Sequence, residues 1–212
     1  MAKGRLFRLK YIWLDLARII FAIPTLLIYR PKRIYSSEEA KKKIRGAAFV
    51  ATNHRGYSDP VKIYTILWYR RIHCLAKSEL YSTAIMRAIL AGGRCIKIDN
   101  QNPTDTSYVP AIREAIADGR IVAIYPEGKI VRDSDEMLEF KSGIVILAAS
   151  SKAPIVPVYI KPQKHFWNRL TAAIGEPLYP YTEDGKLLPL SDLENLTREL
   201  SQKMKDLQKL TQ

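Results

Sequence analysis

The chain predicts an α/β fold, a mostly parallel sheet flanked by helices, and two observations predict it. Short apolar runs of strand length, at residues 47–53, 72–76, 95–98, 121–125, 155–160 and 171–174, alternate with longer stretches of helical character at 60–70, 78–90, 107–117 and 142–151. Strands separated by helices of this length pair in parallel and carry helices on both faces. The last helix opens near Ser191 and repeats Leu193, Leu196, Leu200, Met204, Leu207 and Leu210 at steps of three and four, a single apolar stripe suited to cover a sheet.

Each element has a local reason. Ser58-Asp59-Pro60 joins capping residues to a proline suited to the first helical position, so a helix starts there. Gly119 closes the helix before the strand at 121. Ser36-Ser37-Glu38-Glu39 predicts the cap of a short basic helix leading into the strand at 47. With 212 residues and neither repeats nor a low-complexity linker, residues 46–212 read as a single α/β domain. Residues 1–45 read as a separate helical segment.

Charge distinguishes that segment. The net charge of +13 comes from 34 basic and 21 acidic residues, and residues 1–45 hold twelve basic side chains against three acidic ones. A basic end of this kind meets either nucleic acid or an anionic membrane. The intervening run Ile19-Ile20-Phe21-Ala22-Ile23-Pro24-Thr25-Leu26-Leu27-Ile28-Tyr29 favours the membrane, because a surface-seated helix needs an apolar face with a basic rim and a phosphate-backbone binder does not. Arg18 and Arg30 close the run well short of the roughly 20 apolar residues that a span requires. Asp15 and Arg18 also argue against a cleaved signal peptide. The expectation is a membrane-associating helical segment on the cytoplasmic face, with no nucleic-acid partner; the competing reading is a helix packed on the protein's own core. Cys74 and Cys95 are the only cysteines, without disulfide or metal spacing, which fits a reducing compartment.

In an open parallel sheet, ligands bind beyond the carboxyl ends of the strands. The residues there form a set: His54 and Asp59 after 47–53, Asp99 and Asn100 after 95–98, and Pro126-Glu127-Gly128-Lys129 after 121–125. A turn through Gly56 could return the Asp59 carboxylate to one ring nitrogen of His54, leaving the other free to accept a proton. A satisfied histidine beside a capping aspartate has the same spacing. Nucleophile elbows, phosphate-binding glycine loops and dinucleotide fingerprints are missing, so the inventory is a histidine base, a supporting carboxylate and cations for an anionic substrate. Direct transfer of a group to a hydroxyl fits it.

Four blocks in this chain then carry a family resemblance. Asn53-His54-Arg55-Gly56-Tyr57-Ser58-Asp59 looks like an Asn-His-x4-Asp motif, followed by Gly93-Arg94-Cys95-Ile96-Lys97-Ile98-Asp99-Asn100. Tyr125-Pro126-Glu127-Gly128, with Phe140-Lys141-Ser142-Gly143, looks like a Phe-Pro-Glu-Gly block, and Ala153-Pro154-Ile155-Val156-Pro157-Val158 is similar to the last block. In these residues the sequence resembles the glycerolipid acyltransferases typified by 1-acylglycerol-3-phosphate acyltransferase.

The resemblance implies that His54 deprotonates the free hydroxyl of a lysophospholipid and that Asp59 orients it. The acyl group would arrive as a thioester on coenzyme A or acyl carrier protein, with no resident cofactor. Glu127 and Gly128 would shape the acceptor site, and Val156, Pro157 and Val158 would line a pocket. The family usually carries Thr-Arg-Ser after Glu-Gly and ends its second block with Asp-Arg. This chain has Lys129-Ile130-Val131 and Asp99-Asn100. The arginines expected to grip the acceptor phosphate are thus replaced, and Lys129, Arg132, Lys97 or Lys141 would stand in as point charges without the bidentate fork. Acylation of another lysolipid and a non-catalytic lipid-binding module are the alternatives. His73 lies inside an apolar strand and His165 in a polar loop, so both read as structural or exposed and not catalytic; Asp105, Asp133 and Asp135 lie in loops without ligand-like spacing, and no metal is expected.

Overall fold

A computed structural model of the chain describes residues 12–99, 101–102, 105–131, 136–165, 167–182 and 184–212. It contains α1 (Ile12–Tyr29), β1 (Lys32–Tyr35), β2 (Ala48–Thr52), α2 (Asp59–Ile66), β3 (Ile72–Lys77), α3 (Ala84–Gly92) and β4 (Ile96–Ile98). These are followed by α4 (Val109–Ala117), β5 (Ile121–Ile124), α5 (Gly143–Ser151), β6 (Ile155–Ile160), β7 (Thr171–Ile174) and α6 (Leu190–Lys209). The strands form one seven-stranded sheet in the order β1-β7-β6-β2-β5-β3-β4. Five of its six pairings are parallel; β6 with β7 is antiparallel.

Strand order decides which helix covers which face. The crossovers β2→β3 and β3→β4 run one way along the sheet, and β4→β5 and β5→β6 run the other. Right-handed crossovers therefore put α2 and α3 on one face and α4 and α5 on the opposite face. The packing agrees. Ile63 and Ile66 of α2, with Leu67 at its C-cap, share a core with Ala48, Val50, Cys74 and Ala123, while Ile112 of α4, Val145 of α5 and Leu200 and Met204 of α6 share the other with Phe49, Ala51 and Val122. The central strands β2 and β5 are buried along their whole length, as their unbroken apolar runs require.

Three elements differ from the sequence expectation. Residues 32–35 form an edge strand paired with β7, so the sheet takes part of what the sequence assigns to the N-terminal segment. Lys32-Arg33-Ile34-Tyr35 hides this role because edge strands tolerate charge, and Arg33 uses its charge to donate to the Ile66 carbonyl (2.8 Å) at the end of α2. The basic helix expected after Ser36 is a turn: Ser37 accepts a bond from the Ala40 amide (3.2 Å), but only i→i+3 bonds follow. The stretch 78–90 divides into a 3₁₀ turn (Ser78–Tyr81) and α3, whose cap is Thr83 accepting from the Met86 amide.

α1 is fastened to the domain. It packs against α2, and the Leu170 amide donates to the carbonyl of Tyr29 (2.8 Å). The Arg30 guanidinium reaches the Trp167 carbonyl (3.0 Å). Along the rest of its length Ile19, Ile20, Phe21, Ile23 and Leu27 remain exposed, so the helix is not absorbed into the core. No helix among the described residues is long and apolar enough to cross a membrane.

Candidate active site

β2 delivers the site. Flanked by β5 and β6, it ends beside both of them, and Asn53 fixes its exit: the buried side-chain amide donates to the Ile160 carbonyl (2.9 Å) and its oxygen accepts from the Ile160 amide (2.8 Å). This pair of bonds does for the strand ends what a ladder would do further back. His54 follows immediately, so its backbone leaves from a residue anchored by two hydrogen bonds.

The chain then folds back on itself. Asp59 occupies the first turn of α2, where its amide donates to the Gly56 carbonyl (3.2 Å). Its Oδ2 lies 2.9 Å from His54 Nδ1 and also accepts from the amides of Arg55 (2.6 Å) and Gly56 (2.8 Å). Its Oδ1 accepts from Lys62 Nζ at 3.3 Å. Burial alone would raise the Asp59 carboxyl, but the bonds from His54 and Gly56, the Lys62 charge and the Arg55 amide outweigh it and hold the carboxyl below its ordinary value. An ionised carboxylate only accepts, so Nδ1 of a neutral His54 carries the proton and Nε2 presents its lone pair. Nε2 has no hydrogen-bond partner among the described residues, and the side chain is 19% exposed.

β5 supplies the rest of the support. Tyr125 stacks on the imidazole with ring centroids 4.1 Å apart and planes 22° from parallel. Glu127 is buried, with Oε1 accepting from the His54 amide (3.1 Å) and Oε2 from the Leu138 amide (3.1 Å). The Val131 amide donates to the His54 carbonyl (2.9 Å). His54 is thus held at its ring by Asp59 and Tyr125, and at its backbone by the loop after β5.

Of the residues singled out from sequence, the structure joins His54, Asp59, Glu127, Gly128 and Lys141. Gly128 has φ +71°, a left-handed turn, and the Lys141 side chain lies across it: a Cβ on Gly128 would come within 3.2 Å of Lys141 Nζ. Lys129 is exposed on the same loop. Glu127, expected to shape the acceptor site, accepts from backbone amides through both carboxylate oxygens, one of them that of His54. Lys97 lies apart from His54, over Tyr81 and along a cavity of about 690 Å³ that Arg94, Asp99, Asp105 and Ser107 also line. Val156, Pro157 and Val158 are buried strand residues; the two valines belong to the core beneath α2, and Pro157 sits against Gly175 on the opposite face. Asn100 and Arg132 lie outside the described residues.

Sequence reasoning overlooked Tyr125 and Lys62 as members of the site. Lys62 was readable as a cation three residues after Asp59 on one helical face. For Tyr125 the only signal was its place at the end of β5.

A family model described as Acyltransferase matches residues 32–161, which include every residue of the constellation. The chain is 30% identical over 165 residues to a 1-acyl-sn-glycerol-3-phosphate acyltransferase of Bacillus subtilis, covering 75% of this chain and 80% of that protein. It is 29% identical over 145 residues to an enzyme of the same name from Limnanthes douglasii, covering 66% of this chain and 49% of that longer protein. In fold it is similar to the crystal structure of the 1-acyl-sn-glycerophosphate acyltransferase PlsC from Thermotoga maritima, with a TM-score of 0.65, 18% identity, and coverage of 95% of this chain and 80% of that one.

Proposed function

The chain belongs to the acyltransferase family of enzymes, and on that premise we propose its reaction. A fatty acyl group passes from a thioester, on coenzyme A or acyl carrier protein, to the free hydroxyl of 1-acylglycerol-3-phosphate, giving phosphatidic acid at a membrane surface. The observation that carries this reading is the His54–Asp59 pair, with one ring nitrogen bound to a carboxylate and the other open.

The steps follow from that geometry. His54 Nε2 takes the hydroxyl proton as the oxygen attacks the thioester carbonyl. Asp59, kept ionised, stabilises the imidazolium that forms. The tetrahedral intermediate collapses with cleavage of the C–S bond, and the departing sulfur takes the proton back from Nε2. The products are an ester and a free thiol, and the enzyme returns to its starting state.

The acceptor assignment draws on the names of the relatives and on the cations beside the site, Lys129 and Lys141. The membrane assignment draws on the exposed apolar side of α1 and its basic flank. Thiol release from an acyl-coenzyme A, in mixed micelles with and without 1-acylglycerol-3-phosphate, tests the reaction. Release that requires both the acceptor and His54 is expected. Equal release by His54→Ala would refute the base, and activity only with another lysolipid would reassign the acceptor.

A further inference from the structure

We infer that the outer faces of α2 and α3 form a second contact with an anionic bilayer, beside α1, which seats the His54 end of α2 at the lipid surface. This rests on the membrane-surface reading above and extends it to parts of the catalytic domain itself.

α2 covers one face of the sheet with α1 packed against it, and right-handed crossovers place α3 on that face as well. Across α2 and the turns at its two ends, Tyr57, Val61, Tyr64 and Trp68 recur at steps of four, three and four, the spacing of a single helical side. Three of them face outward, with Tyr57 71%, Val61 42% and Trp68 45% exposed. On α3, Ile85 and Ile89 lie one turn apart and are 73% and 59% exposed. Tyr64 joins the two strips, since its hydroxyl donates to the carbonyl of Gly93 just after α3 (3.0 Å). These are large apolar side chains exposed on two adjacent helical elements, and soluble monomers rarely gather such groups on one face.

Charge selects the occupant. Residues 1–99, whose described part builds this layer and the strands beneath it, hold twenty basic and six acidic side chains in the sequence, whereas residues 100–212 hold fourteen and fifteen. The whole net positive charge thus lies in the half of the chain that carries the apolar face. Exposed Lys77 ends β3, ahead of the turn into α3, and exposed Arg87 lies within α3. Apolar side chains interleaved with cations match an anionic lipid surface, while the centre of a protein interface is depleted of charge. The catalytic pair lies on this same side: Asp59 opens α2, the middle helix of the layer. A lipid acceptor would then meet His54 without leaving the surface.

The test uses the full chain and vesicles of phosphatidylcholine, alone and with phosphatidylglycerol. In a Trp13→Phe, Trp167→Phe background, Trp68 fluorescence is expected to be quenched by lipids brominated on the acyl chain. The Ile85→Ser, Ile89→Ser double variant should melt like the wild type, because both side chains are exposed, and should bind anionic vesicles about tenfold more weakly. Binding with Trp68 unquenched and the double variant unaffected would overturn this inference and leave α1 as the contact. Failure of the wild type to bind either vesicle would overturn the membrane reading as well. A double variant that converts a dimer to a monomer, with vesicle binding unchanged, would make this face a self-association surface and the inference wrong.

Discussion

The two helical covers of the sheet are built to opposite specifications. α4 and α6 bury most of their apolar residues and turn charge outward, and α5, which carries no charge, buries Ile144, Val145, Ala148 and Ala149. In α6, Leu196, Leu200, Met204 and Leu207 face the core, while Lys203–Glu199 and Lys209–Asp206 pair on the outer side. α1, α2 and α3 have an apolar interior and an apolar exterior as well. Folding explains the first arrangement completely. It does not explain the second, because Phe21, Leu27 or Ile85 loses nothing to water by unfolding that it has not already lost in the folded state. The outer residues of the α1–α3 layer therefore carry information about surroundings, and the site lies on their side of the sheet.

The sharpest way to break this comparison is at the site itself. His54→Ala is expected to lower acyl transfer by about 100- to 10,000-fold, the range for a lost general base, with unfolding and vesicle binding unchanged. Turnover and vesicle co-sedimentation on one preparation check it. Parallel loss of binding would mean that the site and the apolar layer are not separable.

Next in size is a pair of core and surface changes. Leu200→Ala, on the polar-faced layer, removes a fully buried side chain and should cost about 2–5 kcal/mol, read as a lower denaturation midpoint. Ile85→Ser should stay within about 0.5 kcal/mol of the wild type. Equal destabilisation by the two would show that α3 is covered by protein.

Glu127→Gln is smaller and more specific. The buried carboxylate binds the amides of His54 and Leu138, and the amide side chain turns one acceptor into a donor facing a donor. A loss of about 1–3 kcal/mol is expected, together with slower turnover. Since Glu127 acts through His54, kcat should fall more than the acceptor KM rises. The opposite split would return Glu127 to the acceptor site.

How much of this was legible in the sequence follows the same division. Buried strands announced themselves as apolar runs, and the turn from His54 to Asp59 was readable because glycine, capping residues and proline leave few other paths. β1 was not readable, since Lys32-Arg33-Ile34-Tyr35 has one polar edge and takes its place only when β7 arrives about 140 residues later. Glu127 was named, but its work was hidden: nothing in Pro-Glu-Gly says whether the carboxylate faces a ligand or the amides of a distant loop. Tyr125 was quoted without a role for the same reason. The outward faces of α2 and α3 were invisible as a surface until the strand order placed both helices with α1.

Acid titration gives a quieter test of the Asp59 network. Its carboxyl is held below the ordinary value, so the contribution of Asp59 to stability is complete above the ordinary aspartate range near 3.8 and is lost as the pH falls through the lower folded value. The gap in denaturation midpoint between the wild type and Asp59→Asn should be constant near neutrality and close in acid. A gap that widens in acid would contradict the sign.

The smallest effect belongs to Tyr125, where ring and hydroxyl make separable predictions. The ring packs on the imidazole, while the hydroxyl is buried with no hydrogen-bond partner among the described residues. Burial, followed by the neighbouring Cys74 and Asp59, pushes that phenol well above its ordinary titration range, so it stays neutral. Tyr125→Phe keeps the stack and removes an unsatisfied polar atom. It should leave turnover unchanged and raise the melting temperature slightly, in keeping with the penalty for a buried unpaired hydroxyl. Tyr125→Leu loses the stack and should slow turnover with little change in the acceptor KM. If Tyr125→Phe instead slowed turnover as much as Tyr125→Leu, the hydroxyl would have a partner in the working enzyme, and substrate would be the first place to look for it.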